Sequence, residues 1–96
     1  MRNGGAVKSQ VLRVAHQAGL HARPAARFVQ AASAYASQVR VRNLTHSTAF
    51  VNAKSILSVL TLGVEQGHEI ELQVEGTDEE QALAGLATLI RSNFES

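Results

Sequence analysis

Apolar residues along this chain switch between alternating and helical spacing, and the switches divide it into elements. Val11 to His16 alternates through Leu12 and Val14, as a strand with one buried face does, and Gly19 ends the run. From Ala22 to Ala36 the spacing turns helical, through Ala25, Phe28, Val29, Ala32 and Tyr35, with Pro24 in the first turn, where a helix tolerates it. A turn therefore precedes His21 and a helix begins beside it. Gln38 to Arg42 alternates again with Val39 and Val41 facing inward, and Ser47 to Asn52 offers a short partner strand, which predicts a hairpin.

Lys54 to Gly63 reads as a short helix with Ser55 at its start and Gly63 at its stop. Its apolar residues, Ile56, Leu57, Val59, Leu60 and Leu62, spread over more than one face, which packing on a single core does not require. His68 to Gly76 then alternates Ile70, Leu72 and Val74 against Glu69, Glu71, Gln73 and Glu75, predicting a strand with one wet face. In the last segment Thr77 and Glu80 have the spacing of a capping box, ahead of a stripe of Leu83, Leu86, Leu89, Ile90 and Phe94. Strand, helix, strand, strand, helix, strand, helix is the order of an α+β two-layer domain, with helices on one face of a mainly antiparallel sheet.

At 96 residues the chain holds one small core. It has no cysteine, so disulfides, thiolate metal sites and a cysteine nucleophile are excluded, and a reducing compartment fits. The start, MRNGGAVKSQ, has no apolar signal region, and no apolar run approaches a membrane span; a cytoplasmic protein without membrane insertion is expected. A net charge of +1, with three phenylalanines, one tyrosine and no tryptophan, argues against nucleic-acid binding. Arg13, Arg23, Arg27, Arg40 and Arg42 nonetheless gather in the first half, which leaves room for an anionic partner.

The sharpest chemistry lies at the first helix start. His21 falls where unpaired backbone amides and the helix dipole favour an anion, and a neutral imidazole is a competent nucleophile for a phosphoryl group. Arg23 is placed to neutralise the transferred oxygens and Pro24 to fix the turn. The plainer alternative makes His21 a helix cap and Arg23 a solvated charge. Ser55 is either an ordinary N-cap or a phosphorylation site whose dianion the helix tolerates. Ile56, Leu57 and Leu60 are either core or an exposed patch beside it. His16 and His21 lack metal-ligand spacing and no carboxylate neighbours them in sequence, so no metal site is expected. His46 and His68 read as surface loop residues, and Gly63 to Gly67 as a turn only.

The stretches GLHARPAARF, VNAKSILSVLTLGVEQGHEI and VEGTDEEQAL resemble the HPr family, the histidine-containing phosphocarriers of the phosphoenolpyruvate-dependent sugar phosphotransferase system. The match runs from about Ser9 to the C-terminus, so residues 9–96 form the expected domain and residues 1–8 a flexible extension. The resemblance implies an open-faced β-sandwich, four antiparallel strands with three helices on one face (βαββαβα), in a monomer without cofactor. It implies phosphorylation of His21 on Nδ1 by enzyme I with Arg23 assisting, and transfer to IIA domains of sugar permeases. The resulting carrier does not turn over alone. It further implies that Ser55 is the target of an HPr kinase/phosphorylase, through which a transcriptional regulator is engaged. Pro24, Arg27, Ile56, Leu57 and Leu60 match the partner-docking surface. The alternatives are a mainly regulatory binding protein governed by Ser55, or a carrier in a non-sugar phosphorelay. Ala18 stands where many members have asparagine, Gln30, Ser33 and Ser58 where lysine is frequent, and the connection at 42–50 is longer than the usual hairpin.

Overall fold

Backbone pairing, more than apolar alternation, sets the first strand of this protein. The structure, a computed structural model, describes residues 7–95. In it β1 spans Lys8–Arg13 and pairs antiparallel with β4 (Glu69–Glu75), Lys8 opposite Val74 and Arg13 opposite Glu69. The strand thus begins three residues before the apolar alternation does, and Lys8 belongs to the sheet and not to the expected extension; residues 1–6 of that extension lie outside the described residues. β2 (Gln38–Asn43) pairs antiparallel on the other side of β4, and β3 (Val51–Asn52) closes the sheet in the order β1-β4-β2-β3.

Three helices, α1 (Ala22–Ser33), α2 (Ile56–Leu60) and α3 (Glu79–Arg91), cover one face of this sheet, an open-faced β-sandwich with the expected element order. Leu12, Val39, Val41, Ile70, Leu72 and Val74 from the sheet meet Ala25, Phe28, Val59, Leu86 and Ile90 from the helices in one core. Phe28 is fully buried, a contribution of roughly 1.5–3 kcal/mol from apolar area alone. The opposite face is wet and laddered with charge: Arg42 donates to Glu71 at 2.7 and 2.8 Å, and Arg13 lies 3.9 Å from Glu69.

Four expectations need correction. The second hairpin strand shrinks to two residues, because Thr48 Oγ1 accepts from the Asn43 N–H at 2.9 Å while the Thr48 N–H returns to the Asn43 carbonyl at 3.1 Å, drawing the preceding loop away from the ladder. α1 stops at Ser33, not Ala36, because the Ala36 and Ser37 N–H groups donate to Asp78 at 2.9 Å each. No capping box forms from Thr77 and Glu80: Asp78 occupies the N-cap with its carboxylate turned to Ala36 and Ser37, Glu79 reaches back to the Gly76 N–H at 3.0 Å, and Glu80 pairs with Lys8 at 3.3 Å. Phe94 lies beyond α3; positive φ at Asn93 and Phe94 (58° and 64°) folds its ring back into the core, edge-on to His16.

Candidate functional site

The turn between β1 and α1 is built on a close backbone approach. Gly19 has φ 61°, and a Cβ there would overlap the Val64 carbonyl, so only glycine lets the Leu20 N–H donate to that oxygen at 3.0 Å. The buried Leu20 side chain pins the turn to the core. His16 Nδ1 accepts from the Ala18 N–H at 3.0 Å, and the Gly19 N–H donates to the His16 carbonyl at 2.8 Å. This places His21 at the N-cap of α1 in extended conformation (φ −126°, ψ 165°).

His21 does not cap the helix: its side chain makes no capping hydrogen bond. Its ring is partly exposed (38%), and Nε2 lies 3.2 Å from Oε2 of Glu65. Because an ionised carboxylate only accepts, Nε2 donates, and in the neutral ring this leaves the lone pair on Nδ1. Nδ1 has no hydrogen-bond partner among the described residues. The chain then turns through Ala22 at φ 50°, a left-handed conformation that alanine rarely adopts. The Ala25 N–H closes the first helical turn on the His21 carbonyl at 3.4 Å, and Pro24, buried, has no N–H to place. The Ala22 and Arg23 amides carry no hydrogen bond to the described residues, which leaves two donors at the positive end of a twelve-residue helix.

Arg23 is exposed, and with His16, Pro24 and Arg27 it lines a hollow of about 380 Å³ bounded on the far side by Asn93, Phe94 and Glu95. His21 does not line that hollow; its ring is partly exposed at the surface beside it. The described residues include no group of three or more His, Cys, Asp or Glu that could hold a metal, and no helix long and apolar enough to cross a membrane.

Ser55 is the N-cap of α2, its Oγ accepting from the Ser58 N–H at 3.3 Å. The apolar surplus divides as the alternative of an exposed patch requires: Val59 and Leu62 are buried, whereas Ile56, Leu57 and Leu60 are exposed, Leu57 to 74%. Lys54 ties the start of α2 to the end of α1 by donating to the Tyr35 carbonyl at 2.8 Å.

Sequence reasoning missed two features. Glu65, in the turn read as having no further role, meets His21 from 44 residues away, so a carboxylate does neighbour that ring. His68 is half-buried and structural, its Nδ1 accepting from the Glu65 N–H at 3.0 Å and from Asn43 Nδ2 at 3.3 Å. The paired glycines at 63 and 67 signalled a turn, but no local pattern signalled where its carboxylate points.

A family model described as the PTS HPr component phosphorylation site matches residues 8–92. The phosphocarrier protein HPr of Treponema pallidum (strain Nichols) is 45% identical over 86 residues, covering 90% of this chain and 94% of that protein. A multiphosphoryl transfer protein of Vibrio cholerae is 41% identical over 82 residues, which are 85% of this chain but 20% of the longer relative. Among solved structures, HPr-C-His from Thermoanaerobacter tengcongensis superposes with a TM-score of 0.86 at 46% identity, covering 93% of this chain and 98% of that one.

Proposed function

The chain belongs to the HPr family of phosphotransferase-system phosphocarriers, and from that premise we propose that His21 takes a phosphoryl group on Nδ1 from phosphorylated enzyme I and passes it to IIA domains of sugar permeases. The observation that carries this reading is the partly exposed ring, engaged at Nε2 by Glu65 and open at Nδ1, beside the uncommitted amides of Ala22 and Arg23. The Nδ1 lone pair attacks phosphorus while those amides and the Arg23 guanidinium receive the oxygens. The open surface suits a relay, because each partner completes the reacting centre and the carrier alone turns over nothing. Arg27, Ile56, Leu57 and Leu60 form the docking surface, the exposed leucines giving a partner apolar area to cover, whereas Pro24, expected in that surface, is buried beneath the first turn of α1 and shapes the turn instead.

Incubation with phosphoenolpyruvate and enzyme I gives one acid-labile phosphoryl group in the wild type and none in His21→Ala. Leu57→Glu slows the charging without changing the modified residue. An equal yield in His21→Ala defeats the proposal.

A second site joins the first. Ser55 caps α2 at the edge of the exposed patch, where a phosphate from ATP, delivered by an HPr kinase/phosphorylase, is compatible with its own helix and repels acidic partners. A transcriptional regulator then reads the phosphoserine. Acid-stable phosphate is lost in Ser55→Ala, and the Ser55-phosphorylated chain is charged by enzyme I more slowly; an unchanged rate at full modification removes the regulatory role.

A further inference from the structure

The turn from Gly63 to Gly67 is a fixed platform. Its Val64 carbonyl accepts from Leu20, the Gly67 N–H donates to the Val14 carbonyl at 2.7 Å, and the His68 N–H returns to the Glu65 carbonyl at 3.0 Å. Two N–H donors, the Glu65 backbone and Asn43 Nδ2, converge on His68 Nδ1, which therefore bears a lone pair. Asn43 is fully buried and also donates to the Leu62 carbonyl at 3.1 Å, anchoring the assembly in the core. Glu65 thus projects from a backbone tied both to the core and to the residue preceding His21. Its carboxylate meets the imidazole at the ring-edge atom Nε2 and leaves the other ring nitrogen, Nδ1, without a partner among the described residues.

Resting on the reading of His21 as the phosphoryl acceptor, we propose that Glu65 is its positioning residue, holding the proton on Nε2 so that Nδ1 alone is nucleophilic and the charged ring departs as neutral imidazole. On loading, the Nδ1 lone pair forms the N–P bond as the donor's bond to phosphorus breaks, its electron pair staying with the donor. The ring, protonated on Nε2, is then an imidazolium facing the Glu65 carboxylate. On unloading, the acceptor's nucleophile bonds to phosphorus, the N–P electron pair returns to Nδ1, and the proton remains on Nε2 throughout. Without the carboxylate, Nε2 is open to solvent and free to carry the lone pair itself, and the charged ring sheds its proton more readily and becomes a poorer leaving group.

The test uses the full chain and potassium phosphoramidate, a small phosphoryl donor that needs no partner protein, with phosphorus and imidazole-nitrogen NMR to identify the modified atom. Wild type gives the Nδ1 isomer alone. Glu65→Ala gives the Nε2 isomer beside it, and the Nδ1 phosphate of Glu65→Ala and Glu65→Gln hydrolyses about two- to fivefold more slowly at neutral pH, the range of an exposed ion pair. Glu65→Asp recovers most of the wild-type behaviour. Unchanged regiochemistry and unchanged lability in both variants overturn the role of Glu65 while leaving His21 as the acceptor. A wild-type chain that takes no phosphoryl group on His21 overturns both.

Discussion

At Ala22 the chain holds a side chain at φ 50°, immediately after the imidazole proposed as the phosphoryl acceptor. The left-handed region costs a non-glycine residue roughly 1–2 kcal/mol, and glycine occupies it freely at the expense of a more disordered unfolded chain. Ala22→Gly is therefore expected to raise stability by about 0.5–1 kcal/mol in urea unfolding, and a loss of stability would show that the residue is unstrained. The placement fits a common association of backbone strain with functional positions. The turn and helix start that hold His21 were legible because its neighbours have an unusual local logic: glycine to turn, proline to begin a helix, arginine between. The strain was not legible, since nothing about an alanine announces its φ.

Among the elements, the join between α1 and β2 depends on one carboxylate from the far end of the chain. Asp78 accepts from the Ser37 hydroxyl at 2.5 Å and from the Ala36 and Ser37 N–H groups, and these bonds, led by the Ser37 hydroxyl, hold its carboxyl below the ordinary value of 3.8. A depressed carboxyl pKa stabilises the fold where the unfolded chain would also be ionised, and that contribution is lost as pH falls below 3.8 through the lower folded value. Asp78→Asn is accordingly less stable than wild type at neutral pH, and the two converge in acid; parallel pH profiles of urea unfolding would contradict the assignment. The alternating and helical registers identified these elements, because each buries one face. The register could not show where α1 ends, since Asp78 stops it from 41 and 42 positions away. The same reasoning explains the truncated β3, whose approach is governed by the Asn43–Thr48 exchange and not by β propensity.

Over the whole molecule, the sheet order β1-β4-β2-β3 makes two distant turns neighbours, and the site exists because of it. β1 lies beside β4, so the turn that leaves β1 meets the turn that enters β4, and Leu20 and Val64 join them. Local sequence supplied His21, the proposed nucleophile, and the helix start beside it; topology supplied Glu65 and the anchoring His68. The exposed Ile56, Leu57 and Leu60 were visible as an apolar surplus, but only packing separated them from the buried Val59 and Leu62. The proposed phosphoryl transfer runs through one ring atom, Nδ1 of His21. Its most direct test is to charge the chain with phosphoenolpyruvate and enzyme I and locate the phosphoryl group by phosphorus and imidazole-nitrogen NMR. A single group on Nδ1 of His21, handed on when a IIA domain is added, is the predicted result; a phosphoryl group on any other residue, or none at all, would contradict it.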